Sequence, residues 1–183
     1  AVYTGAWLGG FRPGYGIMKW VDGVTYEGEW NFGFAEGKGT LTYPTGEYLK
    51  GNFMYNKLNG YGEIHNMENG YEYWGNWEND QQNGKGKEKW QDNSMYEGNY
   101  ELGKKEGLGK YTWEDGTYYY GEWKNNKIHG YGIYEWSDGR KYLGEWKNAK
   151  MYGFGISIWN HGKYIGNYKD DKKSGFGIYT DNY

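Results

Sequence analysis

Three histidines, a recurring glutamate and one glycine–lysine run are the groups in this sequence that could do chemistry. His65, His129 and His161 could each ligate a metal or move a proton near neutral pH. Either task needs several groups to converge, and the three fall at three different places in the periodic pattern of the chain. A structural or solvated role is expected of each. Glu29, Glu122 and Glu145 recur inside Gly-Glu-Trp. Paired carboxylates could serve as general acid and base, but the alternation puts these on the solvent side, where they are expected to be hydrated. Gly84-Lys85-Gly86-Lys87 suggests a phosphate loop, yet it lacks the Gly-x-x-x-x-Gly-Lys-Ser/Thr frame that cradles phosphates. Cysteine is absent, which removes disulfide frameworks and thiolate chemistry. No catalytic residue, metal site or cofactor is expected, and the chain reads as a non-enzyme.

The elements that carry these residues are set by an internal repeat, the feature to seek first in a glycine-rich chain. One marker glycine per unit gives Gly5, Gly28, Gly51, Gly75, Gly98, Gly121, Gly144 and Gly166, spaced by 22 to 24 residues. Nine and eleven residues after every marker stand two more glycines, as Gly130 and Gly132 follow Gly121. Two residues before the marker is Tyr in seven units, with Leu49 in the eighth. Two residues after it is always a ring, from Trp7 to Tyr168. Fifteen residues after it is Trp or Tyr, except at Asn66 and Asp181.

Each unit reads as a β-hairpin. Tyr119-Tyr120-Gly121-Glu122-Trp123 has period two, so its outer rings and its glycine share one face. Lys124-Asn125-Asn126-Lys127 has turn chemistry, Gly130 to Trp136 forms the second strand, and Asp138-Gly139 turns into the next unit. Glycine normally weakens a strand. Here it is expected to leave room for a neighbouring ring to lie flat on the backbone, with ring burial offsetting an entropic cost of roughly 0.5–1 kcal/mol per glycine. Composition agrees. The 183 residues include 34 Gly, 23 Tyr and 11 Trp, and mean hydropathy is −1.11, so few aliphatic side chains are present for a thick core. The expected fold is all-β, an elongated antiparallel meander of eight 23-residue hairpins, with one array over residues 1–183.

The unit Tyr-x-Gly-x-Trp, an Asn/Gly/Lys-rich turn, Gly-x-Gly and Asp-Gly resembles the MORN (membrane occupation and recognition nexus) repeat, and Tyr119 to Gly139 resembles it most fully. The likeness extends over essentially the whole chain, departing at Leu49, at Glu68-Asn69-Gly70 and at Asn160-His161-Gly162. The resemblance implies an accessory or structural role. Such arrays occur in cytoskeletal scaffolds, ciliary radial spokes and junctophilins, and beside kinase or methyltransferase domains. A protein-interaction scaffold in a cytoskeletal or axonemal assembly is therefore expected, in a cytoplasmic setting. A membrane tether and a regulatory segment of a larger enzyme are the alternatives. The chain begins at Ala1 within the repeat pattern and is expected to belong to a longer protein.

Specificity is expected where the columns vary. Ten and twelve residues after the marker, side chains point away from the glycine face. In the last three units these are Tyr131 and Ile133, Phe154 and Ile156, and Phe176 and Ile178, with Ile158 continuing the row. Such a stripe either closes into a second small core or receives a protein partner, such as a helix or another array. Lys85, Lys87, Lys89 and Lys110 occupy the same face in the middle units and motivate the alternative partner, an anionic phospholipid surface. The net charge of −3 gives no reason to expect nucleic acid.

Overall fold

Backbone amides and carbonyls must all find partners, and a chain of short alternating segments joined by tight turns finds them by pairing each segment with the next. In a computed structural model, which describes residues 1–6 and 14–181, the strands are β1 (Val2–Gly5), β2 (Gly14–Lys19), β3 (Thr25–Asn31), β4 (Phe34–Thr42), β5 (Tyr48–Met54), β6 (Lys57–Asn66), β7 (Tyr71–Glu78) and β8 (Gln81–Lys89). They continue as β9 (Met95–Glu101), β10 (Lys104–Thr112), β11 (Tyr118–Lys124), β12 (Lys127–Glu135), β13 (Lys141–Lys147), β14 (Lys150–Trp159), β15 (Gly162–Lys169) and β16 (Lys172–Asp181). The sixteen strands form one antiparallel sheet in chain order, the meander of hairpins that the repeat predicts. Among the described residues there is no helix. Trp7, the first member of a ring column, lies outside the described residues. Two compact units are distinguished, residues 1–91 with 101–103 and residues 92–100 with 104–183. Both are built by the same rules.

The first rule is a line of glycines that meet across the strands. In the first unit Gly16, Gly28, Gly39, Gly51, Gly62, Gly75 and Gly86 pair in succession. In the second, Gly109, Gly121, Gly132, Gly144, Gly155, Gly166 and Gly177 do the same. The tyrosine column lies over them. A Cβ on Gly132 would fall inside the Tyr119 ring, and one on Gly39 inside the Tyr26 ring. Tyr26, Tyr73, Tyr96, Tyr119 and Tyr142 are almost wholly buried by this arrangement. The glycine nine residues after each marker has a different reason. All eight, from Gly14 to Gly175, have positive φ. In the hairpins where the ladder slips, this glycine stands in the bulge: between Gly121 and Trp123 the register moves from Gly132 to Ile128. One explanation for all the glycines, as the sequence suggested, is therefore too simple. Two columns yield space to rings and the third supplies a left-handed backbone.

The second rule is a zipper of rings. In the second unit Tyr96, Tyr119 and Tyr142 each meet two rings edge-to-face, one from their own repeat and one from the next, as Tyr119 meets Trp123 at 5.5 Å and Trp146 at 5.7 Å. Tyr26 does the same with Trp30 and Phe53 in the first unit. Such geometry favours the ring quadrupoles. Backbone carbonyls satisfy several of the polar tips: Tyr119 Oη donates to the Glu122 carbonyl at 2.9 Å, and Trp123 Nε1 to the Gly109 carbonyl at 3.0 Å.

The third rule is a latch between repeats. Hairpin turns such as Asn125-Asn126 have both central residues at positive φ, the type I′ geometry suited to two-residue hairpins. The second turn residue then grips the previous repeat. Asn126 donates its N–H to the Lys105 carbonyl at 3.1 Å, and its Oδ1 accepts the Lys105 N–H at 2.8 Å. Asn56 with Ala35, Asp80 with Leu58 and Asp171 with Met151 repeat the pair. Ala149 makes only the backbone half, to Ile128.

These rules give expectations for three substitutions and for the response to pH. Ala149→Asn supplies the missing acceptor and relieves a non-glycine φ of 64°, and should stabilise the fold by about 1 kcal/mol in denaturant titration. Gly132→Ala should cost about 2–3 kcal/mol because a ring must move. Gly62→Ala should cost less than Gly132→Ala, because Leu49 leaves no phenol there and the nearest atoms to the new methyl, from Trp77 and Leu58, lie at 3.0–3.2 Å and must yield by only a few tenths of an ångström. Burial, followed by nearby carboxylates, raises the phenol pKa of Tyr26, Tyr73 and Tyr119 well above 10. The unfolded chain therefore loses these protons first, so stability is complete below pH 10 and falls as pH rises beyond it. Absorbance of the buried phenolates should appear together with loss of the β-sheet circular dichroism signal.

Candidate functional site

With rings and glycines consumed on one face, the other face holds whatever the alternating positions supply. In the second unit these positions align into a cross-strand row. Tyr120 of β11 pairs with Ile133 of β12, Ile133 with Leu143 of β13, Leu143 with Ile156 of β14, Ile156 with Ile165 of β15, and Ile165 with Ile178 of β16. Six strands at about 4.8 Å separation give this row a length of about 24 Å. Tyr120 and Ile178 at its ends are exposed, while the four residues between them are half-buried by their neighbours. None of them is enclosed, so among the described residues the stripe does not close into a second core.

A parallel line of larger side chains flanks the row. Tyr131 is 65% exposed, Phe154 52% and Phe176 95%. They are separated by polar residues, Tyr131 facing Glu145 and Phe154 facing Asn167. Tyr131 Oη donates to Glu145 at 3.2 Å, and this carboxylate raises the phenol above its ordinary pKa. On the other flank, Tyr118 Oη donates to Glu135 at 2.7 Å and Lys141 pairs with the same carboxylate at 3.1 Å. Tyr118 first and Lys141 second hold Glu135 below the usual carboxylate range. Ile158 lies on this polar flank, between Lys141 and Lys163, rather than in the apolar row. An apolar centre with a polar margin is the common anatomy of a protein-binding surface.

Sequence reading found Ile133, Ile156 and Ile178 and missed Tyr120, Leu143 and Ile165, which fill the gaps. The signal was present one residue before each marker, but only pairing of the marker glycines shows that this column interleaves with the other. A second correction concerns Glu29 and Glu122, expected to be merely hydrated. Glu29 Oε2 accepts the Lys38 N–H at 3.0 Å and Glu122 Oε2 that of Tyr131, so each ties down a backbone amide beside the bulge of the paired strand. His65 has a structural setting: its ring stacks on Tyr48 at 4.8 Å and its nitrogens meet Glu63 and Glu72 at 3.0 and 3.3 Å. No group of metal-ligating side chains is found among the described residues.

Of the lysines expected to form a patch, Lys85, Lys87 and Lys89 lie at alternate positions of β8 in the first unit. Lys85 on β8 is exposed, whereas Lys87 and Lys89, opposite Trp74 and Glu72, are half-buried. Lys110 belongs to the second unit and places its ammonium 4.4 Å from the Tyr118 ring centroid. In the first unit the row corresponding to the apolar one reads Glu27, Thr40, Lys50, Glu63, Trp74 and Lys87, which is mostly polar.

The family model of the MORN repeat matches residues 3–25, 26–48, 50–65, 73–95, 96–118, 119–139, 142–162 and 164–182. The chain belongs to the MORN-repeat family. Its eight MORN repeats account for almost every residue. No curated protein matches the chain by sequence. Among solved structures, the TCP domain of Drosophila melanogaster SAS-4 (dCPAP), in complex with a proline-rich motif of Ana2 (dSTIL), is similar in fold, with a TM-score of 0.53, 10% identity and 85% of each chain covered. At that identity the likeness concerns the fold alone.

In this MORN array the Glu122 carboxylate is a support of the exposed Tyr131. Glu122→Gln should weaken the bond to the Tyr131 amide and cost about 1 kcal/mol. Amide hydrogen exchange at Tyr131 should accelerate, while that at Gly109 in the neighbouring strand should not change.

Proposed function

We propose that the array is a non-catalytic scaffold for protein–protein interaction, with the exposed row from Tyr120 to Ile178 as its docking surface. The observation that carries this reading is the row itself: apolar side chains in register across six strands, left open to solvent and bordered by polar residues. A length of about 24 Å suits the apolar stripe of an amphipathic helix of roughly sixteen residues. The similar fold of the SAS-4 TCP domain, which is complexed with a proline-rich motif, supports a protein partner. The finer reading is a cytoplasmic scaffold within a cytoskeletal or ciliary assembly, supported by the places where the family resemblance leads.

The test is a comparison of partners captured by the chain and by a Phe154→Ala/Phe176→Ala variant. Both side chains are exposed, so each change should alter stability by less than about 0.5 kcal/mol. The variant should keep its sheet and lose at least about tenfold in affinity for a partner helix, since aromatic anchors beside an apolar row carry a large share of binding energy. Retention of the same partners at the same affinity would remove this face from the function. A Lys85→Glu/Lys87→Glu variant should bind the same partners undiminished.

A further inference from the structure

The glycine face, opposite the row just described, carries a second feature near the Asp-Gly turns. Trp113 and Tyr134 stand 5.3 Å apart with their rings tilted by 41°, and Tyr134 and Trp136 stand 4.7 Å apart, tilted by 48°. They line an open cavity of about 700 Å³ together with Asp92, Glu114 and Asp115. Hydrogen bonds from Ser94 hold Asp92 below its ordinary pKa, and those from Thr117 do the same for Asp115. Both are anionic at neutral pH. Glu114 is exposed. Aromatic faces beside carboxylates are a setting for a cation.

The chain itself shows what such rings hold. Trp159 and Tyr179 occupy, two repeats later, the positions that Trp113 and Tyr134 occupy here. There Lys173 places its ammonium 5.5 Å from Trp159, 4.7 Å from Tyr164 and 4.4 Å from Tyr179, and donates to Tyr179 Oη at 2.6 Å. Lys173 stands seven residues after its marker glycine. The same position in the Trp113–Tyr134 pocket is Ile128, which is buried and carries no charge. One copy of the ring shelf is therefore filled by the chain's own lysine. The other has the rings, Glu114 and Asp115 where the later copy has Asn160 and His161, and no lysine at the filling position; Arg140 stands over its Trp136 ring, 5.3 Å from the centroid, and leaves Trp113 and Tyr134 for a further cation.

We propose that the Trp113–Tyr134–Trp136 pocket binds the lysine side chain of a partner polypeptide, with the ammonium against the rings and the carboxylates. The site lies on the other face from the apolar row, so it stands or falls independently of that docking surface.

The probe is a short peptide, acetyl-Gly-Lys-Gly-amide, titrated into the full chain while the indole N–H signals are followed by nuclear magnetic resonance. Saturable shifts of Trp113 and Trp136 are expected, and they should be absent with the norleucine peptide, which keeps the chain length without the charge. Glu114→Gln should weaken binding several-fold, and Trp113→Leu by at least about fivefold. Ile128→Lys restores the filling residue of the later repeat and should abolish peptide binding in the folded protein. Should that variant fail to fold, Glu114→Gln alters only an exposed side chain and keeps the test decisive. Equal shifts with the norleucine peptide, or saturable shifts that survive Glu114→Gln and Trp113→Leu unchanged, would overturn the proposal.

Discussion

Along the centre of this sheet glycines of neighbouring strands face each other and, except at Gly51 and Gly62, a tyrosine ring lies where a side chain would otherwise be. Neither glycine can be replaced without moving the ring or the opposite backbone. A slip of one residue in register would bring a side chain under the ring and turn every strand residue to the wrong face. The steric fit therefore fixes the register more tightly than a hydrophobic alternation could, and the phenol's hydrogen bond to the carbonyl three residues on anchors the ring that enforces it. The bulge glycines follow from the same constraint, because a ladder interrupted beside the ring column needs a residue that accepts positive φ.

Once one face is assigned to rings and glycines, the other is released from structural duty. The first unit uses its outer positions for charged and polar residues, the second for Ile, Leu, Tyr and Phe. Neither choice disturbs the inner face, because cross-strand neighbours on opposite faces do not touch. Repeats can thus be nearly identical in what holds them together and different in what they offer a partner. This separation is what suits a repeat array to scaffolding. The polar atoms beside the apolar row are largely paired within the chain, as Tyr118, Glu135 and Lys141 show, so a partner covering the row need not leave them unsatisfied.

The family, the hairpin meander and the outward direction of Tyr131, Phe154 and Phe176 were legible in the sequence because all three depend on periodicity alone. What was not legible depends on register. The interleaving of Leu143 and Ile165 with Ile133 and Ile156 requires knowing that Gly144 faces both Gly132 and Gly155. The role of Glu122 requires the bulge, which brings its carboxylate to an amide nine residues away. The three glycine columns looked alike as letters, and only their dihedral angles separate the ring-covered ones from the left-handed one. Ile158 was misassigned to the apolar row because period two along one strand says nothing about which residues the adjacent strands set beside it.

An array of near-copies also contains its own controls. Leu49 shows what happens when the covering phenol is absent: the place of a Cβ on Gly62 is then crowded by Trp77 and Leu58 at 3.0–3.2 Å rather than overlapped by a phenol ring. Ala149 shows a turn held by one hydrogen bond where Asn126 is held by two. Lys105 and Lys173 show that the position seven residues after the marker can present an ammonium to the ring column, 5.0 Å from Tyr96 in one case and 4.7 Å from Tyr164 in the other. Ile128 and Met151 at that position bring no charge. The inner face is thus nearly uniform in its rings but not in its electrostatics. Where lysine is present the quadrupoles of the rings are already engaged. Where it is absent, and the turns add carboxylates, Arg140 engages only the outer ring, Trp136, so Trp113 and Tyr134 keep their preference for positive charge and the repeat can discriminate partners on a face whose architecture changes little.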